Sequence, residues 1–301
     1  MSTLESQTRS ARLADADWQS SAPGGGLFSG TGRSLREIAG QRELLGLLVR
    51  RELKARYKDS TLGFLWSLLR PLSILLVYYV AIGKFLGAER SIPEFAIYIF
   101  TGLMIWQLFA EIVSSSTGSI VSNAGLVRKI YLPREVFPLA TVGSALFNFL
   151  TQLVILIPAI LLAGSIPSGT RLLYVPLSLA VIVVFATAIG MALAAVNVYL
   201  RDVQYLVEIS LTILFWASPV VYSWALVRDA LGATAENLYL DNPITLAVLG
   251  MQRALWVAGT DQPVPDGLAG RLGVALLVGL VLLWLAQRLF ARLEGNFAQE
   301  L

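Results

Sequence analysis

From about residue 62 to residue 291 the chain runs in long apolar stretches, each closed by Pro, Gly or a knot of charge. A spanning helix needs roughly 20 mostly apolar residues, and six stretches come near or exceed that length: 62–85, 95–113, 136–163, 173–200, 204–226 and 269–291. Gly83-Lys84 closes the first, Ile92-Pro93 opens the second, and Pro133-Arg134-Glu135 opens the third. Pro167-Ser168-Gly169 separates the third from the fourth, and Arg201-Asp202 separates the fourth from the fifth. The pattern predicts an all-α polytopic membrane protein of six transmembrane helices, with both termini on one side.

A different pattern precedes the first span. Read as a helix, residues 45–58 put Arg50, Lys54 and Lys58 on one stripe and Leu45, Val49, Leu53 and Tyr57 on another. Glu52 and Arg56 interrupt the apolar side, and Arg51 adds a further base. An amphipathic helix lying in the membrane interface is the preferred reading, with a plain basic linker as the alternative. Arg70 stands about 12 Å of helical rise into the first span, where an arginine must snorkel, pair or face a polar cavity.

Charge fixes the orientation. With the N-terminus inside, 17 of the 23 Lys+Arg fall inside, and only Lys84, Arg90, Arg171, Arg228, Arg253 and Arg271 fall outside. The hydrophobic fraction of 56% and charged fraction of 14% agree with a membrane protein. A net charge of +3 concentrated in membrane-flanking loops argues against a nucleic-acid partner. Residues 1–40 carry no apolar signal region and include Pro23-Gly24-Gly25-Gly26, so they read as a disordered cytoplasmic tail ahead of a membrane domain at 41–301. Cys and His are absent. Thiolate and imidazole chemistry and the usual zinc ligands are thereby excluded, and no metal site is expected.

Four places are candidates for function. Segment 227–268 exceeds the length of a connector, and Asn242-Pro243 opens an apolar run to Val257 that either re-enters the bilayer or lies flat on its outer surface. Loop 122–133 reads as a short helix stopped by Pro133. Its Leu126, Arg128, Lys129, Ile130 and Tyr131 suit docking to a soluble partner or merely anchor topology. Aromatic residues recur near the span ends, among them Trp66, Tyr78, Tyr79, Trp106, Phe215 and Trp216. They form an interfacial belt or line a sugar path. Glu111, Glu208, Asn148 and Gln152 lie within spans, where inter-helix bonding is the preferred role. No lysine sits in a phosphate-binding loop, so ATP binding by this chain is not expected.

Four segments in order resemble one family, the transmembrane subunit of bacterial ATP-binding-cassette exporters for lipid-linked polysaccharides, which includes O-antigen, teichoic-acid and galactan exporters. They are Arg51–Gly63 followed by Trp66 and Pro71; Lys129–Pro138; Asn197–Asp202 with Phe215–Tyr222; and Asn242-Pro243. Arg70 departs from the apolar residue expected before Pro71. The resemblance implies a multi-pass protein of the bacterial inner membrane, a homodimer with a central pore lined by aromatics. Two copies of a P-loop ATPase would dock on the coupling loops, where Arg134 and Glu135 join the loop residues above. ATP and magnesium would sit on that partner and no cofactor on this chain. The substrate would be a polyprenyl-diphosphate-linked glycan, with membrane lipids around the interface helix. A membrane enzyme acting on lipid-linked sugars and a secondary carrier are the alternatives.

Overall fold

The computed structural model describes residues 36, 38–57, 62–129, 132–230 and 233–301. Among these residues the chain is helical, with no strand. The expected disordered tail, residues 1–40, lies outside the described residues except for 36 and 38–40, as do Lys58, Ile130 and Tyr131.

Helix α1 (Arg42–Tyr57) precedes α2 (Trp66–Tyr78), which continues through a π-helical turn to Phe85. Then follow α3 (Phe95–Ser122), the short α4 (Ala124–Lys129), α5 (Val136–Ala163) and α6 (Tyr174–Asn197). The chain ends with α7 (Val203–Trp216), α8 (Trp224–Ala230), α9 (Ala233–Leu240), α10 (Pro243–Leu255), α11 (Leu268–Leu293) and α12 (Phe297–Glu300). Among the described residues, five stretches are long and apolar enough to cross a membrane: Trp66–Phe85, Phe95–Ser122, Val136–Ala163, Gly169–Asn197 and Leu268–Glu300.

Two expected boundaries move, each for a local chemical reason. The second span continues from 113 to Ser122, because its hydroxyl-rich end folds its own polar groups back onto the helix. Thr117 donates to the Val113 carbonyl at 2.7 Å and Ser119 to that of Ser116 at 2.7 Å, while Ser116 and Thr141 share a 2.7 Å bond to α5. The fifth stretch, expected as one helix over 204–226, stops at Trp216 after 14 residues. That is about 21 Å of rise, short of a hydrocarbon core of about 30 Å. Pro219 lacks an N–H and its ring would crowd the Phe215 carbonyl, which disfavours continuation. The chain instead makes a turn whose Ser218, Val220 and Val221 are buried.

Helix α3 is the centre of the bundle. Its apolar window is 78% buried, against 11% for Trp66–Phe85 and 22% for Leu268–Glu300, which places the first and last long helices on the rim. α3 packs on α5, α6, α7 and α10, and α11 packs on α6. Small residues allow the close approach: a Cβ at Gly190 of α6 would stand 2.7 Å from the Ser116 Cβ of α3. One end of the bundle, here the basic end, collects α1, α4, the 198–202 corner and α12. The far end collects 86–94, 164–173 and the segment after α10.

Helix α10 is wedged among α3, α6 and α11, with ten of its 13 residues buried. A helix lying on the outside of the bundle would leave one face open; α10 leaves almost none. Its start is capped as the sequence suggests, since the Asn242 Oδ1 accepts the Ile244 N–H at 2.9 Å and Pro243 takes the first turn. Asn242→Ala should therefore lower stability by about 1 kcal/mol, seen as a lower unfolding temperature in detergent. Asn242→Asp, which keeps the acceptor, should retain most of it.

Candidate functional site

Helices α2 and α7 both rest on α3, and each leaves two rows of side chains in the open. On α2 one row is Leu69, Leu72 and Leu76, continued by Leu65 of the turn before it, and the next is Trp66, Arg70, Ser73 and Val77. On α7 one row is Leu206, Ile209 and Ile213, and the next is Tyr205, Glu208, Thr212 and Trp216. Each helix thus presents a lipid-like row beside a row of rings and polar groups. On α3 the partly exposed positions include Gln107, Glu111, Ser114 and Gly118, again one helical face, and Gly118 lies under the Gln204 side chain of α7.

Four of the six aromatic candidates meet in one cluster. The Phe215 ring of α7 touches Tyr78 of α2 at 5.8 Å, Trp106 of α3 at 5.3 Å and Trp216 at 5.4 Å between centroids. Tyr79 belongs to a second group with Phe95, which stacks on Tyr98 and through it on Trp256 near the far end. Trp66 stands towards the basic end, 51% exposed, and Trp216 is 57% exposed. Arg70 is exposed, and among the described residues it makes no hydrogen bond or ion pair.

At the basic end α4 presents Arg128 and Lys129 to solvent, with Leu126 partly covered. Arg134 and Glu135 point inwards. The Arg134 guanidinium lies 5.7 Å over the Phe297 ring, and the buried Glu135 accepts from Gln287 Nε2 at 2.9 Å. Phe297 is fully buried and also meets the rings of Tyr199 and Phe290, while the Tyr199 hydroxyl donates to the Leu293 carbonyl at 2.8 Å. Arg134 and Glu135 therefore support the loop from behind, whereas Arg128 and Lys129 stand on its surface.

The model of the ABC-2 type transporter family matches residues 43–256. The chain belongs to that family. It is 33% identical over 270 residues to an O-antigen export system permease protein of Myxococcus xanthus, covering 89% of this chain and 99% of the relative. It is 26% identical over 257 residues to an O-antigen export system permease protein of Klebsiella pneumoniae, covering 85% and 94%. A polysialic acid transport protein of Escherichia coli matches at 26% over 188 residues, 60% of this chain and 70% of the relative.

As an ABC-2 family member the chain is a transport subunit of the bacterial inner membrane, not an enzyme, and its ATPase is a separate protein. Helix α1 holds Arg56, which the sequence pattern offers only as an interruption of the apolar side. Arg56 Nη1 reaches Glu111 Oε1 of α3 at 2.6 Å, and Asn148 Nδ2 of α5 donates to the same oxygen at 2.6 Å. Arg51 donates to the Asn123 Oδ1 at the end of α3, and Val49 fits over Gly143 of α5. Arg50, Arg51 and Lys54 line an open groove with Leu47 and Ala55. Sequence reasoning passed over Tyr98 and Gly102, which hold the buried turn after α7; the proline at 219 was the available signal.

Proposed function

We propose that this ABC-2 family member is the membrane subunit of an ATP-driven exporter that carries a polyprenyl-diphosphate-linked polysaccharide outwards across the inner membrane. The observation that carries the reading is the pair of ring-and-hydroxyl rows left open on α2 and α7 by a single chain. A second copy set against this face closes them into a path, with the Leu and Ile rows at its seam. Aromatic faces pack against the C–H faces of sugars without fixing a register, so a chain of repeating units can slide. The names of the relatives, O-antigen and polysialic acid transport proteins, support the substrate class.

In this reading the basic end faces the cytoplasm, in line with the 17 to 6 distribution of bases. α1 lies in the membrane interface, α10 is the re-entrant helix, and α7 with its buried turn makes the sixth crossing. Two ATPase copies dock on α4 of the two protomers through Leu126, Arg128 and Lys129, and ATP and magnesium bind to the ATPases. Arg70, on the Trp66 row, faces the path.

The tagged protein purified in mild detergent should bring down a P-loop ATPase, and its depletion should leave a lipid-linked glycan accumulating inside the cell. A protein that stays monomeric and never acquires an ATPase would count decisively against the reading. Trp66→Ala and Trp216→Ala should each slow glycan passage roughly fivefold, the equivalent of about 1 kcal/mol per lost ring contact. If expression falls while transport per molecule does not, these rings serve packing alone.

A further inference from the structure

The interface helix is joined through the chain to α2 alone, yet its side-chain attachments go elsewhere. Val49 sits on Gly143 of α5, Arg51 bonds Asn123 at the end of α3, and Arg56 pairs with Glu111 in the body of α3. Glu111 is the common point. One oxygen accepts both the Arg56 guanidinium and the Asn148 amide, so a single carboxylate ties α1, α3 and α5 together. Asn148 is 8% exposed and its own Oδ1 has no partner among the described residues, which leaves the Glu111 bond as that side chain's polar contact. A carboxylate inside a span is costly unless paired, so the charge of Glu111 holds Arg56 in place and is held by it.

We propose that Glu111 is a positioning residue of the transport cycle, fastening the interface helix to α3 and α5 so that a displacement of α1 reaches three spans rather than α2 alone. The inference rests on the reading of the chain as an ATP-driven export subunit. It differs from that reading in naming where the movement goes.

A second carboxylate on α1 modulates the fastening. Glu52 lies one turn before Arg56, and burial pushes it up from the usual carboxylate range to about 7, against the opposing pull of Arg51 and Arg56 and with a further push from Glu111. Arg51 and Arg56 from α1 and Glu111 from α3 are the charged groups around it. Below about pH 7 the protonated Glu52 leaves Arg56 to Glu111. The seated helix binds this proton more tightly than a released one does, so the seat weakens as pH rises from near 4.5 to about 7 and changes little above.

The test uses the complete complex with its ATPase in proteoliposomes, with ATP hydrolysis and glycan export measured together. Glu111→Gln and Arg56→Gln should each preserve hydrolysis and cut glycan exported per ATP about tenfold, in keeping with loss of one partner of a partly buried pair. The exchange of Glu111→Arg with Arg56→Glu should recover the ratio to within about threefold of wild type. Arg56 is partly open to solvent, so its variant carries the test even if Glu111→Gln assembles poorly. Glu52→Gln should abolish the decline of the ratio between about pH 5 and pH 7. A single variant with an unchanged ratio, or an exchange no better than either single variant, would overturn the proposal.

A readout that needs no glycan separates this failure from failure of the export reading. The chain has no Cys, so cysteines placed at Glu43 of α1 and Leu150 of α5 can carry spin labels without background. Their separation should stay constant through ATP binding in wild type and change in Glu111→Gln. A constant separation in both would overturn the fastening. A wild-type complex that hydrolyses ATP and moves no glycan would overturn the export reading instead.

Discussion

Gly102→Leu will displace the turn after α7 and abolish export, and Gly102→Ala will already destabilise the protein measurably. A Cβ at Gly102 would stand 2.9 Å from the Val220 carbonyl oxygen, 3.2 Å from Gln252 Nε2 and 3.4 Å from the Val220 Cα. The nearest of these is backbone, which cannot rotate out of the way. Nor can the turn drift as a unit. Tyr98 donates to the Tyr222 carbonyl at 2.7 Å, Asn242 Nδ2 to Ser218 Oγ at 3.3 Å, and the Tyr222 hydroxyl to the Trp216 carbonyl at 2.7 Å. Overpacking of this kind costs about 1–3 kcal/mol for a small addition, and leucine exceeds what the site can yield. Unfolding temperature in detergent and export in cells measure the two consequences. Gly273→Ala in α11 is the control, since nothing lies within 4 Å of a Cβ there. Equal unfolding temperatures for Gly102→Leu and wild type would show that the turn is not held against α3.

The second large effect is expected from reversing charge on the surface of α4. Arg128→Glu with Lys129→Glu places two like charges where an acidic groove of an ATPase would sit, a juxtaposition that costs several kcal/mol at an interface. About 3 kcal/mol corresponds to a loss of affinity of more than a hundredfold. Both side chains are exposed beyond the end of α3, so insertion should be unaffected. Fifteen bases remain on the cytoplasmic side in the proposed orientation, and orientation should hold as well. The ratio of ATPase to permease in purified material checks the prediction, with export as the second measure. Unchanged export would remove α4 as the docking element.

Five of the six expected apolar stretches were legible as long helices because apolar length is a strong signal and Pro, Gly and charge mark its limits. The misplaced boundaries came from residues whose local chemistry reverses their usual meaning. The hydroxyls of Ser114 to Ser119 suggest an exit from the membrane, yet Thr117 and Ser119 bond their own helix and Ser116 bonds α5. Pro219 inside an apolar run is compatible with a kinked span, and only the fit of Gly102 beneath Val220 makes a full stop there. In α1, Glu52 and Arg56 spoil the apolar stripe when the helix is taken alone. They make sense once Glu111 is seen opposite, a relation between positions 56 and 111 that no local pattern can carry. The aromatics could be named but not sorted: which rings meet depends on how α2, α3 and α7 lean together, and four of the six do meet.

The clasp of Phe297 between Arg134, Tyr199 and Phe290 has a consequence for biogenesis. The loop that carries α4 is braced by a residue that leaves the ribosome only after α5 to α11 have been made. A half-synthesised chain therefore offers no finished platform to a nucleotide-hydrolysing partner. If the partner docks on α4 as proposed, its recruitment becomes a checkpoint on the insertion of α11.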